Sequence, residues 1–177
     1  MPKYVAFLRG INVGGKNIVK KEMLQEAFTS LGYEHVSVWK QSGNVIFETS
    51  DSDLEQIKLA IQKKLKSLLG NNIGVILRSF YYLEELVKSN TFRNLDEKGA
   101  SYLVTFLSTE TAESVLHLKI PKSTAEIIRI DKHEAYSVTH GHGEGGLPNP
   151  FLEKKLKTQA TTRNWNTIKE IVQGFSN

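Results

Sequence analysis

Apolar residues in the first 79 positions recur at two spacings, which predict helices and strands. Leu24, Ala27 and Phe28 share one face at helical spacing and Gly32 follows them, so we predict a helix that ends before the glycine. Short alternating apolar runs bounded by turn residues indicate strands. In chain order, the predicted elements are a strand at 3–8, a helix at 20–31, strands at 36–38 and 45–47, a helix at 54–68 and a strand at 73–78.

This order, βαββαβ, is typical of a ferredoxin-like α/β plait, in which two helices cover one face of an antiparallel sheet. The rest of the chain predicts a less regular version of the same order. Its predicted elements are a helix at 79–89, a strand at 102–107, a short helix at 109–116, strands at 125–130 and 135–140, and helices at 150–157 and 164–174. We therefore predict an α+β fold of two ferredoxin-like plaits packed in one compact chain. Residues 1–79 form the first plait, and residues 80–177 form the second, with a C-terminal helix.

The composition is that of a folded protein without thiol chemistry. The chain has 177 residues, of which 40% are hydrophobic, and it has no cysteine. No segment approaches the roughly 20 apolar residues of a membrane span, and the N-terminus enters a strand pattern directly. We therefore expect a cytoplasmic protein that does not associate with membranes. The net charge of +4 and the pI near 9.2 are mildly basic, which suits anionic partners without selecting one.

The strongest functional pattern is the segment that follows the first predicted strand. Residues 1–21 contain five basic residues and no acidic one, and glycines let backbone N–H groups approach a ligand closely. Cations at the start of the next helix oppose its macrodipole by about 0.3–1 kcal/mol each, and a bound anion would offset that cost. The candidate ligand-binding residues here are Arg9, Gly10, Asn12, Gly14, Gly15, Lys16 and Asn17.

The same segment departs from a Walker A loop at one position. Gly10, Gly15 and Lys16 match that motif, but Asn17 stands where a serine or threonine would bind magnesium. A P-loop enzyme also needs a parallel sheet, whereas the predicted strand order is antiparallel. The alternative interpretation of the glycines is a connecting loop with positive φ angles.

Two further polar segments carry candidate ligand groups. Gln41, Ser42 and Asn44 lie between two predicted strands, where they form either a tight turn or an edge that faces the ligand. Arg163 and Asn164 lie in a segment, residues 161–166, that we predict to open the last helix, with the arginine in its first turn. Trp165 there is a core residue or a stacking face.

The histidines do not indicate a metal site. His140, His142 and Glu144 lack the spacing of a recognised zinc or iron site, so we predict neither a metal nor another cofactor. The glycines of residues 141–146 match a dinucleotide-binding fingerprint, but Pro148 and the short remaining chain favour a simple loop.

Three motifs together resemble the signatures of the bacterial domain of unknown function family 1697. They are Arg-Gly-Ile-Asn-Val-Gly-Gly-Lys-Asn at 9–17, Gln-Ser-Gly-Asn-Val-Ile-Phe at 41–47 and Thr-Thr-Arg-Asn-Trp-Asn at 161–166. The resemblance implies tandem ferredoxin-like plaits, in agreement with the predicted element order. It implies no activity and no catalytic residue.

Binding of a small phosphate-bearing or other anionic ligand, such as phosphate or a nucleotide, is the function that these patterns favour. This hypothesis requires the two basic segments, residues 9–17 and 161–166, to meet in space. One alternative is metal-independent phosphoryl hydrolysis, by analogy with acylphosphatases, in which Asn44 or Gln41 orients water. The last alternative is RNA binding. It is weaker, because residues 43–47 lack the aromatic spacing of an RNA-recognition strand.

Overall fold

The computed structural model describes residues 1–40, 43–95, 98–112, 114–140 and 147–176. These residues form a mixed α+β structure with two antiparallel sheets and five helices. The chain divides into two compact units, Met1–Glu84 and Glu85–Asn177. Within the described ranges, no helix is both long enough and apolar enough to cross a membrane.

The first unit follows the predicted element order. Its elements are β1 (Lys3–Leu8), α1 (Lys21–Thr29), β2 (Glu34–Trp39), β3 (Asn44–Glu48), α2 (Leu54–Leu69), β4 (Val75–Ser79) and the start of α3 (Phe80–Ser89). The sheet has the order β2-β3-β1-β4, and every neighbouring pair is antiparallel. The strand, helix, strand, strand, helix, strand order predicted for residues 1–79 is therefore confirmed.

Local chemistry fixes both ends of α2. The Asp53 side chain accepts hydrogen bonds from the backbone N–H groups of Glu55 at 3.0 Å and Gln56 at 3.1 Å. The helix ends at Gly70, whose φ of +74° is the left-handed conformation that glycine adopts without steric cost. Between these ends, Ile57 and Ile61 recur at helical spacing and are buried against the sheet.

Both faces of the first sheet are apolar. One face contributes Tyr4, Ala6 and Leu8 of β1 to a core that includes the buried residues of α1 and α2. Phe47 of β3 lies in that core, and its ring centroid is 5.4 Å from that of Phe28. On the other face, the side chains of Val5, Phe7, Ile46 and Ile76 are no more than 3% exposed. Burial on both faces gives a rigid sheet from which the following loops extend.

The second unit contains a five-stranded sheet. Its elements after α3 are β5 (Ala100–Leu107), β6 (Val115–Lys119), β7 (Ala125–Ile130), β8 (Glu134–His140), α4 (Asn149–Leu156), β9 (Ala160–Asn164) and α5 (Trp165–Phe175). The strand order is β6-β7-β8-β5-β9, again with antiparallel neighbours. Leu152 of α4 is fully buried in a cluster with Ile127 and Ile130 of β7.

The short helix predicted at residues 109–116 is wrong. None of the described residues in that range is helical, and Val115 instead begins the edge strand β6 opposite Ile130. Val115 and Leu118 pack against the cluster around Ile127. Tertiary packing of these apolar side chains therefore overrides the weak helical pattern.

The prediction that residues 161–166 open the last helix, with Arg163 in its first turn, is also wrong. Ala160–Asn164 forms β9, which pairs with β5. The Thr162 and Thr105 hydroxyl oxygens lie 2.8 Å apart in the interior, so this β-branched pair links the two strands. The helix begins at Trp165, and the Asn164 side chain caps it by accepting from the Asn166 N–H at 2.9 Å.

Gly43 allows a close backbone contact beside the first loop. A Cβ atom at this position would lie 2.9 Å from Leu8 Cβ and 3.3 Å from Ile11 Cβ, and its φ is +71°. Gly15 has a similar φ of +73° but no atom within 4 Å of such a Cβ. Comparing alanine substitutions at these two glycines separates steric overlap from backbone strain.

We expect Gly15→Ala to lower the free energy of unfolding by about 1–2 kcal/mol through backbone strain alone. Gly43→Ala should lower it by roughly 1–3 kcal/mol more, because overpacking against Leu8 adds to the strain. Urea denaturation followed by circular dichroism measures both values. Equal losses in the two variants would contradict the role of close packing at Gly43.

Candidate functional site

The first loop, residues 9–17, is anchored to the sheet of the first unit at its start. The backbone N–H groups of Leu8 and Arg9 donate to the carbonyls of Gly43 and Gly74, each at 2.8 Å. Ile11 is 2% exposed and belongs to the core of this unit. The loop therefore leaves the end of β1 in a fixed direction.

Asn12 joins the loop to Val19, which lies two residues before the start of α1. Its side-chain Nδ2 donates to the Val19 carbonyl at 3.1 Å, and its Oδ1 accepts from the Val19 N–H at 2.8 Å. Its backbone N–H donates to the Asn17 carbonyl at 3.2 Å. Asn12 was predicted as a ligand group, but these contacts make it a clamp within the loop.

Asn17 closes the other side of the loop. Its Nδ2 donates to the Gly10 carbonyl at 3.0 Å, while its Oδ1 accepts from Asn71 Nδ2 at 3.1 Å. The side chain at the position of the Walker A serine or threonine therefore binds the loop's own backbone. Positive φ angles at Gly10, +72°, and Asn17, +48°, permit this closed path.

The tip of the first loop is a tight hairpin turn. Val13 and Lys16 form an isolated antiparallel bridge, with the Lys16 N–H donating to the Val13 carbonyl at 3.1 Å. Gly14 and Gly15 have φ angles of +59° and +73°, as a type I′ turn requires at both central positions. Their N–H groups donate no hydrogen bond within the part of the chain that the structure describes.

The start of α1 lies beside this loop because Val19, held by Asn12, immediately precedes the N-cap. That N-cap is Lys20, whose side chain accepts no backbone hydrogen bond. The N–H groups of Lys21 and Glu22 likewise have no acceptor among the described residues. Lys20 and Lys21 therefore occupy the N-cap and the first helical position, and Glu22 is the acidic residue of the first turn.

The segment between β2 and β3 contributes less than predicted. Asn44 is fully buried, and its Nδ2 donates to the Trp39 carbonyl at 3.1 Å, which ties the two strands together. Gln41 and Ser42, the other candidates in this segment, lie outside the described residues. The turn interpretation of Asn44 is thus favoured over a ligand-facing one.

Arg163 lies on β9 of the second unit, and its side chain is buried. Its Nη1 donates to the Thr161 hydroxyl at 2.7 Å and to the Thr162 carbonyl at 3.0 Å. Burial lowers the pKa of Arg163 to about 10, so the guanidinium remains charged at neutral pH. Asn164, the other candidate in this segment, uses its side-chain oxygen to cap α5.

A cavity of about 320 Å³ lies within the second unit. Its aromatic wall consists of Phe92, Tyr102 and Trp165, and the Phe92 ring centroid is 5.0 Å from that of Tyr102 and 5.3 Å from that of Trp165. Trp165 is 4% exposed, so it is a packing residue that presents only a small part of its surface to the cavity.

The remaining lining of this cavity is mostly polar. Its polar residues are Asn90, Arg93, Ser101, Asn164, Asn166 and Lys169. The Oδ1 atom of Asn90 is buried without a hydrogen-bond partner. The sequence did not indicate Asn90 or Arg93, because neither belongs to a recognisable motif. An asparagine after a helix is commonly a left-handed cap, and Asn90 has the φ of +42° that such a cap requires.

No group of three or more histidine, aspartate or glutamate side chains that could hold a metal occurs in the described ranges. His142, Glu144 and the glycines of residues 141–146 lie outside those ranges.

Comparisons with known proteins confirm the resemblance drawn from the motifs. A solved structure of a conserved bacterial protein from Streptococcus pneumoniae is similar over 100% of this chain and 99% of its own, with a TM-score of 0.72 and 22% sequence identity. That identity supports a shared fold alone. No curated protein matches the chain.

The family model described as protein of unknown function, DUF1697, matches residues 1–136. This match covers the first two motifs, at 9–17 and 41–47, and ends before the third, at 161–166. Because it spans more than half of the 177 residues, the chain belongs to the DUF1697 family of proteins of unknown function.

Proposed function

We propose that this protein binds a small phosphate-bearing or other anionic ligand between the first loop and the start of α1. The observation that carries the proposal is the uncapped start of α1, where the Lys20 side chain accepts no backbone hydrogen bond and the N–H groups of Lys21 and Glu22 have no acceptor among the described residues. Helix N-termini with free N–H groups bind anions readily, because the N–H dipoles and the macrodipole point the same way.

The charge around this helix start supports an anionic partner. Arg9, Lys16, Lys20 and Lys21 are exposed, and they outnumber the single carboxylate of Glu22 within residues 9–22. A cation in the first turn opposes the macrodipole by about 0.3–1 kcal/mol, so the cluster raises the free energy of the unliganded helix. A bound anion compensates both the cations and the helix dipole.

The rigidity of the loop is the second support. Asn12 and Asn17 fix the loop backbone through hydrogen bonds to Val19 and Gly10. The N–H groups of Gly14 and Gly15 are therefore held in place before a ligand arrives. Such preorganisation lowers the entropy lost on binding.

The alternatives receive less support from the described residues. Hydrolysis of the acylphosphatase kind needs an amide that orients water, whereas the Asn44 amide is buried and donates to Trp39. RNA binding by a plait needs aromatic side chains on an open sheet face, whereas Phe7 on the second face of the first sheet is fully buried. Arg163 lies in the other unit and is hydrogen-bonded within β9, so the proposal rests on the first loop and the start of α1 without it.

We also infer that the first unit is a ferredoxin-like plait and the second a variant of it. The order β2-β3-β1-β4, with helices after the first and third strands, supports this inference for the first unit. In the second unit, β7-β8-β5-β9 repeats that order, while β6 is added at the edge and replaces the first helix.

The first test compares the affinity for pyrophosphate of the wild type with that of Arg9→Ala and Lys16→Ala by isothermal titration calorimetry. We expect each substitution to weaken binding about two- to fivefold, the range for an exposed charge. Lys63→Ala removes an exposed lysine from α2 and should leave the affinity unchanged. Binding should also weaken when salt rises from about 0.05 to about 0.5 M, because exposed charges are screened.

Equal affinity in the wild type, Arg9→Ala and Lys16→Ala would reject the proposed site. An equal loss in Lys63→Ala would show that pyrophosphate responds only to the net charge of the protein.

The second test removes the clamp and leaves the cations in place. Asn12→Gly keeps the residue compatible with the φ of +54° but loses both hydrogen bonds to Val19. We expect a lower free energy of unfolding, by about 1–2 kcal/mol, and weaker pyrophosphate binding because the loop is no longer preorganised. Calorimetry well below the unfolding midpoint separates the two effects, and unchanged affinity would contradict the role of loop rigidity.

The third test distinguishes binding from catalysis. We expect acetyl phosphate to disappear at the same rate with and without the protein in the presence of a metal chelator, because Asn44, the candidate amide that the structure describes, is buried and donates to the Trp39 carbonyl. Turnover that resists the chelator and is lost in Arg9→Ala would support the phosphoryl hydrolase instead.

A further inference from the structure

We propose that the cavity of the second unit is a separate binding site for a small polyhydroxylated anion such as a sugar phosphate. All the described residues that line it belong to the unit Glu85–Asn177, so the proposal does not depend on the site at the first loop. Its volume of about 320 Å³ falls at the lower end of the range for small-molecule pockets.

The charged side chains of the cavity determine the sign of the ligand. Arg93 and Lys169 both line the cavity, and no carboxylate occurs among its described lining residues. Lys169 lies on α5, one turn after Trp165 and Asn166, and its exposed ammonium can bind an anion at the mouth of the cavity. Two cations, with no carboxylate among the lining residues that the structure describes, favour a phosphate or carboxylate group.

The carboxamide of Asn90 indicates a second, uncharged part of the ligand. Its Oδ1 is buried without a partner, and its Nδ2 makes no hydrogen bond in the described structure. A buried polar group without a partner is costly, and most such groups in folded proteins are hydrogen-bonded. A hydroxyl both donates and accepts, so it can pair with either the oxygen or the nitrogen of this carboxamide.

The aromatic wall completes this arrangement. The Phe92 ring packs against those of Tyr102 and Trp165, and the three side chains form an apolar surface next to the polar groups. Most small-molecule sites combine such a surface with a few polar groups that orient the ligand. A short carbon chain or ring with several hydroxyls and one anionic group satisfies all three parts of the lining.

Trp165 provides a local optical signal for the test. The chain has two tryptophans, so Trp39→Phe leaves Trp165 as the sole tryptophan in an otherwise full-length protein. Ribose 5-phosphate and glycerol 3-phosphate are titrated against this variant. Ribose serves as the uncharged control and sulfate as the control that lacks a hydroxyl donor.

Two substitutions in that background test the lining, and a third serves as their control. Lys169→Ala should weaken binding of ribose 5-phosphate about two- to fivefold, whereas Lys154→Ala, which removes an exposed lysine of α4 outside the cavity, should have no effect. Asn90→Gly suits the φ of +42° and removes the unpartnered oxygen. The Asn90→Gly substitution should weaken ribose 5-phosphate binding and leave sulfate binding unchanged. It should not lower the unfolding midpoint.

The expected result is a saturable change in Trp165 fluorescence with at least one of the two polyol phosphates, tighter than with ribose or sulfate. No saturable change with either of them would overturn the proposal. So would equal affinities of Lys169→Ala and Lys154→Ala, or an Asn90→Gly variant that binds ribose 5-phosphate like its parent.

Discussion

The pair of hydrogen bonds between the Asn12 side chain and the Val19 backbone is the interaction on which the proposed site depends. It joins a loop that leaves the central strand β1 to the residue before the N-cap of α1. Two sets of N–H groups that have no acceptor in the described ranges, at the hairpin tip and at the helix start, thereby belong to one local structure. The cost of this arrangement is backbone at positive φ, which Asn12, Asn17 and three glycines of the loop adopt.

The fold of the first unit was largely predictable because its signals are local. Helical spacing in α1 and α2, alternation in the strands, and glycines after both helices all indicate the observed elements. The second unit was less predictable, since β6 is a short edge strand whose apolar side chains find their partners on β7. Residues 161–164 were also misassigned, because their pairing with β5 cannot be read from a local pattern.

The candidate site was predictable in place but not in the roles of its polar residues. The cations and glycines near α1 follow from charge and composition, and they lie where the sequence indicates. The roles of the asparagines could not be predicted, because the sequence does not show whether an amide side chain binds a ligand or the backbone. Asn12, Asn17 and Asn44 all bind backbone carbonyls, while Asn90, which no motif marks, has the buried oxygen without a partner.

The most direct test of the central claim is an amide nitrogen–proton NMR titration of the full-length protein with pyrophosphate. If the anion binds between the hairpin tip and the helix start, the N–H resonances of Gly14, Gly15, Lys21 and Glu22 should shift together and saturate at one affinity. The account would be contradicted if these four resonances did not shift. It would also be contradicted if the shifts failed to saturate and spread over the exposed lysines of α2.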